Sequence, residues 1–398
     1  MINRKFAHTI AIFLIPIGAI AGEFDPSGSL SLELRGFPQS AQFPDQMEGL
    51  QSSLVLQPEL LYDSDDGKHQ FSFKPFLRLD ARDDERSHFD VREVYWRYVA
   101  DDWEFLAGVN QVFWGVTESR HLVNIINQVD FVEDIDEEDF LGQPMLNFAT
   151  QRDWGEVSIF LLPHFRERTA AGRDGRLRAP LPVDVDDADY ESGAEEWHPD
   201  IALRYSHYVG DWDIGASYFY GTSREPRLTP NPTATRLIPR YDLINQLGVD
   251  LQYTKNAWLW KFEGIAREGQ GDTFGAMVGG FEYTFYQVGE SAADVGVLAE
   301  LQFDDRDEDE APATAADHDL FLGARLALND TQDTSLLAGT IIDLEDASTG
   351  LFVEAERRLG ESWKIELESR WFINVDDENE AVIFERDSFV NLRLSWFF

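Results

Sequence analysis

The sequence has 398 residues, of which 43% are hydrophobic and 27% are charged, and it contains no cysteine. Its 74 acidic residues outnumber its 33 lysines and arginines, which gives a formal charge of −41. Such a negative surface repels phosphate backbones and argues against nucleic-acid binding. The lack of cysteine excludes a disulfide scaffold, thiolate metal sites and cysteine nucleophiles.

The first residues have the features of an export signal. Arg4 and Lys5 form a positive start, residues 10–20 are mostly apolar, and residues 19–21 have the small-x-small pattern of a cleavage site. The apolar stretch is short for a membrane-spanning helix, which needs about 20 residues. We expect a cleaved signal peptide at residues 1–21 and a single domain over residues 22–398.

From residue 30 onward, apolar and polar side chains alternate in many short segments. The first has Leu30, Leu32 and Leu34 on one face and Ser31, Glu33 and Arg35 on the other. Further examples lie at residues 71–80, 258–263, 351–358, 365–368 and 390–398. A period of two predicts β-strands, and counting such segments gives about 16–18 of them, with 18 as the best count.

The connections between these segments fall into two groups. Short polar turns are predicted at residues 63–67, 100–102, 152–155, 209–211, 254–257, 329–333 and 359–362. Long loops are predicted at residues 37–49, 114–143, 163–197, 223–241, 304–317 and 374–386. A soluble antiparallel sandwich also shows alternating strands, but short turns that alternate with long loops are typical of an outer-membrane β-barrel.

Tryptophan recurs beside the short turns. Five of the 11 tryptophans have this position, namely Trp103, Trp154, Trp212, Trp258 and Trp363. Amphipathic indole rings collect at the membrane–water interface, so we expect these five rings to belong to an interfacial aromatic girdle. The alternative is that each ring only packs on its turn.

Segment 114–143 is too long for a structureless connection in a compact region. An apolar cluster at roughly helical spacing covers residues 122–129, and seven acids follow within residues 130–139. Apolar side chains in an external loop need burial, and the inner wall of a barrel offers it. We predict that the segment folds inward as a constriction or plug. A cap over the barrel mouth and a contact between subunits are the alternatives.

The side chains opposite the apolar face are predicted to line a lumen. Acids and bases are similarly frequent there, which favours ion pairs between neighbouring strands over opposed rows of charge that would select dipolar solutes. The residues expected at the pore lining or constriction are Glu118, Arg120, His121, Asp130, Arg97, Arg204, Lys261, Arg325, Arg370, Arg393, Glu300, Glu354 and Glu366. No metal site and no cofactor are predicted.

The long loops also differ in charge. Residues 165–178 carry five arginines and residues 224–240 carry four, whereas residues 184–196 and 304–310 are acidic. Such loops can pair across the barrel mouth, bind lipopolysaccharide phosphates, select a carboxylate solute or simply be solvated.

The last strand carries the most specific signal. Val390–Phe398 has apolar residues at every second position and ends in phenylalanine. It resembles the assembly signal of Gram-negative outer-membrane β-barrels, and together with the leader the pattern is similar to the porin-like class over residues 22–398. The resemblance implies an outer-membrane location, contact with membrane lipid and lipopolysaccharide, and recognition of Phe398 by the barrel-assembly machinery.

We therefore expect an all-β, transmembrane, antiparallel up-and-down β-barrel. A barrel of about 16–18 strands is wide enough for an aqueous channel, so the predicted function is passage of small solutes across the outer membrane. The alternatives are a component of an export or lipid-transport system for hydrophobic compounds, which would be plugged and bind a periplasmic partner, and a surface receptor. Besides a solute or a periplasmic partner, other copies of the same chain, in a homo-oligomer, are candidate partners. The motifs of serine hydrolases, zinc proteases and P-loop enzymes do not occur in the sequence, and no enzymatic activity is expected.

Overall fold

The structure is a computed structural model that describes residues 22–307 and 309–398. An 18-stranded antiparallel sheet closes into a barrel, and three short strands form a separate sheet. The predicted all-β barrel and its strand number are confirmed. The predicted signal peptide, residues 1–21, lies outside the described residues and stays a prediction.

The strands follow one another around the barrel in chain order. The barrel strands are β1 (Gly22–Phe37), β2 (Gly49–Ser64), β3 (His69–Asp80), β4 (Phe89–Val99), β5 (Trp103–Asn110), β6 (Gln143–Arg152), β7 (Gly155–Leu162), β9 (Asp200–Val209), β10 (Trp212–Thr222), β13 (Leu243–Lys255), β14 (Trp258–Glu268), β15 (Phe274–Phe285), β16 (Asp294–Asp304), β17 (Asp319–Ala327), β18 (Ser335–Asp343), β19 (Thr349–Leu359), β20 (Trp363–Ile373) and β21 (Phe389–Phe397). The small sheet consists of β8 (Asp189–Tyr190), β11 (Arg227–Pro230) and β12 (Leu237–Tyr241).

Strand β1 closes the barrel because it pairs with both β2 and β21. Leu32 lies opposite Leu54 on one side and opposite Leu394 on the other. Because the barrel is closed, each of its described strands is paired on both sides. In lipid, where no water is available, backbone N–H and C=O groups need such partners within the protein.

The two ends of the barrel differ in the length of their connections. One end has tight turns at residues 65–68, 100–102, 153–154, 210–211, 256–257 and 360–362, with two somewhat longer connections at 286–293 and 328–334. The other end has connections at residues 38–48, 111–142, 163–199, 223–242, 305–318 and 374–388, with shorter ones at 269–273 and 344–348. The predicted sorting is confirmed. Outer-membrane barrels have short periplasmic turns, and we call the two ends periplasmic and extracellular on that basis.

Apolar side chains point out of the barrel and polar ones point in. Leu32 and Leu392 are 48% and 40% exposed on the outer face, whereas Ser31 and Glu33, on the inner face of β1, are buried. An apolar outer face is stable only against hydrocarbon, so the barrel spans a membrane.

The five tryptophans beside the short turns all lie at the periplasmic end, and all five are exposed. Trp154 is the most exposed of them and Trp103 the least, at 56% and 37%. Their position fits the predicted girdle, whose interfacial role stays a prediction.

The roughly helical spacing of the apolar cluster at residues 122–129 weakly favours a helix over residues 117–129, which the structure does not contain. These residues form turns and bends without a helix. The side chain of Asn124 accepts the backbone N–H groups of Trp114 and Gly115, and that of Asn127 accepts the N–H of Val112. These side chains replace the hydrogen bonds that a helix would supply within the segment. Across the part of the chain that the structure describes, no helix is long and apolar enough to cross a membrane.

Candidate functional site

Residues 111–142, which we call the inner loop, leave β5 at the extracellular end and return to β6. Their side chains contact inward-facing residues on many of the barrel strands. The loop therefore lies inside the barrel, and its parts are held in different ways.

The first part of the inner loop is held by apolar packing. Leu122, Val123, Ile125 and Ile126 are buried in one hydrophobic cluster with inward-facing side chains of β5, β7, β9, β10, β13, β14 and β15. The wall residues of this cluster include Leu106, Phe160, Leu162, Ala202, Phe219, Ile244, Ile265, Ala276 and Val278. Apolar residues on the inner face of these strands thus form the surface that buries the loop.

The tip of the inner loop is held by two glutamates of the barrel wall. Glu263 of β14 accepts the backbone N–H groups of residues 116, 117 and 123 at 2.6, 3.0 and 3.1 Å, and the hydroxyl of Thr117 at 2.7 Å. Glu300 of β16 accepts the N–H groups of residues 118 and 119 and the hydroxyl of Ser119. Hydrogen bonds to charged acceptors are the strong ones, so the two carboxylates fix the backbone of the tip.

The side chain of Glu118 projects from this tip toward two cations of the wall. Its carboxylate oxygens lie 2.7 Å from the guanidinium of Arg325 and 3.3 Å from Nζ of Lys261. Glu118 therefore links β14 and β17, which lie three strands apart on the same side of the barrel.

The acidic part of the inner loop lies against arginines of the opposite wall. Asp130 lies 2.5 Å from Arg92, and Asp134 lies 2.9 Å from Arg35. Glu133 accepts hydrogen bonds from Arg78. Arg370 of β20 lies 2.6 Å from Asp136 and 3.0 Å from Glu368 of its own strand. The acids of residues 130–136 are therefore neutralised inside the barrel.

Glu33 of β1 is the centre of this charged wall. It is 1% exposed and lies 3.0 Å from Arg78, 2.8 Å from Arg86 and 2.8 Å from Arg393. Arg78 also bonds Glu133 of the inner loop. One buried carboxylate thus joins strands β1, β3 and β21 with the connection between β3 and β4.

A second loop covers the inner loop from the extracellular side. Residues 163–199 contribute Arg166, which lies 2.8 Å from Asp90, and Arg176, which lies 2.6 Å from Asp387 of the connection between β20 and β21. Arg168 lies 3.3 Å from Glu137 of the inner loop. Of the roles considered for the arginine-rich loops, the structure shows pairing with acids.

The inner loop leaves one part of the barrel wall uncovered. On the inner face of β17–β20, which we call the open wall, the side chains of Arg325, Glu354 and Glu356 are 41%, 44% and 42% exposed. Inward-facing carboxylates of the covered wall, such as Glu33 and Glu263, are almost completely buried. The water-accessible part of the lumen therefore includes the open wall and, nearer the periplasmic end, the inner face of β2, where the side chain of Glu59 is 37% exposed.

A cavity of about 920 Å³ lies on the extracellular side of the inner loop and against the open wall. Part of its lining is apolar and includes Leu337, Ile341, Phe352 and Phe372. The rings of Phe352 and Phe321 are stacked, with centroids 5.7 Å apart. They lie over Gly339, where a Cβ atom would be 2.5 Å from Cζ of Phe352.

His121 gives the inner loop a dependence on pH. Its imidazole lies 3.8 Å from the Glu263 carboxylate and 3.9 Å from that of Glu138. Burial disfavours the charged ring, but the two carboxylates outweigh it and raise the pKa of His121 to about 9. A raised pKa stabilises the folded loop fully below the ordinary value, and this contribution is lost as the pH rises through about 9.

We therefore expect the inner loop to become more mobile above this pH. Hydrogen exchange of residues 116–123 should speed up between about pH 7 and pH 10 beyond the intrinsic increase for free amides. The H121N variant keeps a polar side chain of similar reach but does not titrate, so its exchange should follow the intrinsic increase alone. A step of the same size in H121N would contradict the assignment.

The structure brings together many of the predicted lining residues. Glu118, Lys261, Arg325 and Glu300 meet at the loop tip, and Arg120 lies nearby, 3.1 Å from Asp304. Asp130 and Arg370 hold the acidic part of the loop, and Arg393 bonds Glu33. Glu354 and Glu366 face the lumen on the open wall.

Two predicted lining residues lie on the covered wall. Arg204 bonds both oxygens of Asp250 at 2.8 and 2.9 Å and lies over the ring of Trp114. Arg97 lies over Tyr95, with its guanidinium carbon 5.3 Å from the ring centroid. Both lie on strands farther from the open wall than those of the other predicted lining residues, and their lining role stays a prediction.

No protein-family model and no curated protein sequence matches the chain. Among solved structures it is similar to a BenF-like porin from Pseudomonas fluorescens Pf-5, with a TM-score of 0.55 and 9% identity over 96% of this chain and 99% of that one. It also aligns with the outer membrane channel DcaP of Acinetobacter baumannii (TM-score 0.47, 8% identity, 96% and 99% covered) and with a mutant of the Rh. blastica porin (TM-score 0.46, 12% identity, 94% and 100% covered). The first likeness shows a shared fold. With its closed barrel and apolar outer face, the chain has the fold of outer-membrane β-barrels of the porin-like class.

Proposed function

We propose that the protein is a channel through which small solutes cross the outer membrane along the open wall. The observation that carries this proposal is the contrast between the two walls, since the inner loop covers one and leaves the other exposed to water. The narrow level lies where Glu118 meets Arg325 and where Asp136 and Glu354 meet Arg370. The inner loop is then the constriction, and the aqueous route is displaced to one side of the barrel.

The charges along this route favour cations over anions. Glu354 lies directly opposite Glu368, and Glu356 lies directly opposite Glu366, on neighbouring strands of the open wall. Lys364 and Arg370 lie beside these two pairs, so four acids share two bases. Pore selectivity follows the charges that face one another at the narrow level, and the excess of carboxylates supports a preference for cations.

The proposal is tested by placing single thiols in a chain that has no cysteine of its own. The wild-type protein should conduct ions in planar bilayers, with a reversal potential on the cation side in a salt gradient. A positively charged thiol reagent should react with the E354C variant and reduce its conductance, because it places a positive charge where the wild type has a carboxylate.

The matched control is S158C, which places a thiol on the inner face of β7, where Ser158 is buried. The reagent should leave the conductance of this variant unchanged. A wild-type protein without conductance, or equal block of both variants, would contradict the proposed route.

The apolar lining of the cavity favours, in one respect, the alternative function in export or lipid transport. Phe352, Leu337 and Phe372 offer contact to the apolar part of a solute, which also suits a transporter of hydrophobic compounds. A transporter of that kind predicts little ion conductance and a periplasmic partner recovered by crosslinking. Binding of lipopolysaccharide, recognition of Phe398 by assembly machinery, association between copies of the chain and the lack of enzymatic activity stay predictions.

A further inference from the structure

Three polar side chains lie side by side at the extracellular ends of β16, β17 and β18. Asp319 of β17 is the register partner of Asp343 of β18. On the other side, Leu301 pairs with Leu320, so that Gln302 is next to Asp319 in the ladder. Leu301 and Leu322 are exposed on the outer face, which places Gln302, Asp319 and Asp343 on the inner face, since successive side chains of a strand alternate.

These three side chains are deeply buried, and two of their oxygens have no partner. Gln302, Asp319 and Asp343 are 4%, 2% and 5% exposed. Neither Oε1 of Gln302 nor Oδ2 of Asp319 accepts a hydrogen bond. All three residues border the interior, and Gln302, Asp319 and Asp343 line the cavity described above.

Other buried carboxylates of the barrel have cationic or N–H partners. Glu33 has three arginines, Asp130 has Arg92, and Glu263 has the N–H groups of the loop tip. Within residues 22–307 and 309–398, no lysine or arginine forms an ion pair with Asp319 or Asp343, whose side chains are neighbours. Among the described residues, Asp343 has N–H partners but no cation, and Oδ2 of Asp319 has no partner at all. Two neighbouring buried carboxylates without a cation are costly and call for a positive charge between them.

We propose that Gln302, Asp319 and Asp343 bind a divalent metal cation of the calcium type. The donors are carboxylate and amide oxygens without nitrogen or sulfur, and hard cations such as Ca²⁺ take such ligands. A metal ion fits the site better than the ammonium group of an organic solute, because only 2% of the surface of Asp319 is exposed. The site goes beyond the proposed channel activity and does not depend on it.

Two other groups of acidic side chains are close enough to hold a metal but already have cations. His88, Asp130 and Glu133 form one group, whose carboxylates bond Arg92 and Arg78. Asp134, Asp136 and Glu368 form the other, and Arg370 lies among them at 3.5, 2.6 and 3.0 Å. Gln302, Asp319 and Asp343 differ from both groups because no arginine in the described part of the chain lies within ion-pair distance of the two carboxylates.

A cation bound by Gln302, Asp319 and Asp343 would connect several extracellular segments. Asp343 accepts the backbone N–H groups of residues 345 and 346 and the side-chain amide of Asn379. Asp319 follows the connection 305–318 directly. The bound ion would therefore tie this connection to residues 344–348 and to the connection 374–388.

Calcium titration of the purified protein tests the site. The full-length barrel, refolded in detergent without lipopolysaccharide and treated with a chelator, is titrated with CaCl₂ in a calorimeter at physiological salt. We expect one site of defined stoichiometry in the wild type. The D319N variant should weaken it at least as much as the roughly 10–100-fold that loss of a supporting contact costs at metal sites. Calcium should raise the unfolding temperature of the wild type and leave that of D319N unchanged.

Two further variants make the result decisive. D377N removes the same charge from an exposed aspartate of the connection 374–388 and should bind calcium like the wild type. If D319N does not fold, Q302L removes a ligand oxygen without a change of charge, and it should weaken binding too. Equal affinity in D319N, Q302L and the wild type would show that the acidic outer loops alone bind calcium. A D319N variant that is more stable than a calcium-insensitive wild type would show that Asp319 holds a proton instead. Either result would overturn the proposal.

Discussion

Replacing Glu263 and Glu300 together by alanine should release the tip of the inner loop and raise single-channel conductance severalfold. The two carboxylates accept the backbone N–H groups of residues 116–119 and 123 together with two hydroxyls. Each hydrogen bond to a charged group contributes about 1.5–3 kcal/mol, so losing the whole set should free the tip. A detached tip uncovers the wall at β14–β16 and widens the narrow level. Planar-bilayer recording of the E263A/E300A variant measures the effect.

A glutamate that does not touch the inner loop provides the matched control. Glu93 of β4, away from the open wall, also faces the lumen, where it contacts Lys74 at 3.2 Å, and E93A should leave conductance close to that of the wild type. If E263A/E300A conducts like the wild type, the inner loop is held mainly by its apolar cluster and its arginine contacts. In that case the two glutamates do not set the width of the channel.

Replacing Glu33 by alanine should cause the largest loss of stability of any single substitution in the barrel wall. Three arginines lose their common partner in a place where Glu33 is only 1% exposed. Removing one partner of a buried ion pair costs about 3–5 kcal/mol, because the remaining charge is left unpaired. Denaturant titration of the folded barrel in detergent, followed by the gel shift of the unfolded form, measures the free energy of unfolding.

The comparison for Glu33 is Glu356, another inward-facing glutamate. It lies 2.6 Å from Lys364, but its side chain is 42% exposed, and an exposed ion pair contributes about 0–1 kcal/mol. E356A should therefore unfold at nearly the same denaturant concentration as the wild type. Equal losses in E33A and E356A would mean that the buried arginines find water or other acids once Glu33 is removed.

Most of the fold could be predicted from the sequence because it depends on a local pattern. Alternation at segments such as 390–398 shows which side chains face hydrocarbon, and the lengths of the connections show which end of the barrel is which. Both features can be recognised in the sequence without knowledge of any tertiary contact. The weak helical spacing at residues 117–129 failed for the same reason, since the wall and the side chains of Asn124 and Asn127 determine that segment.

The candidate site was predictable only in part. The inward fold of the inner loop, with Glu118 as a candidate constriction residue, followed from apolar residues that needed burial. A lumen set that included Arg325 and Arg370 followed from strand faces. The central position of Glu33 among three arginines depends on the register between distant strands. The same is true of the unpartnered oxygens of Gln302 and Asp319, because nothing in the sequence distinguishes them from other inward-facing polar groups.

The glycines of the open wall set the position of two aromatic rings that line the cavity, Phe321 and Phe352. Phe321 and Phe352 lie flat because positions 323 and 339 carry no side chain beneath them. A methyl group at either position would come within 3.0 Å of a ring carbon and push that ring inward. The width of the lumen at this level thus depends on Gly323 and Gly339, which lie behind the rings and not on the surface that a solute contacts.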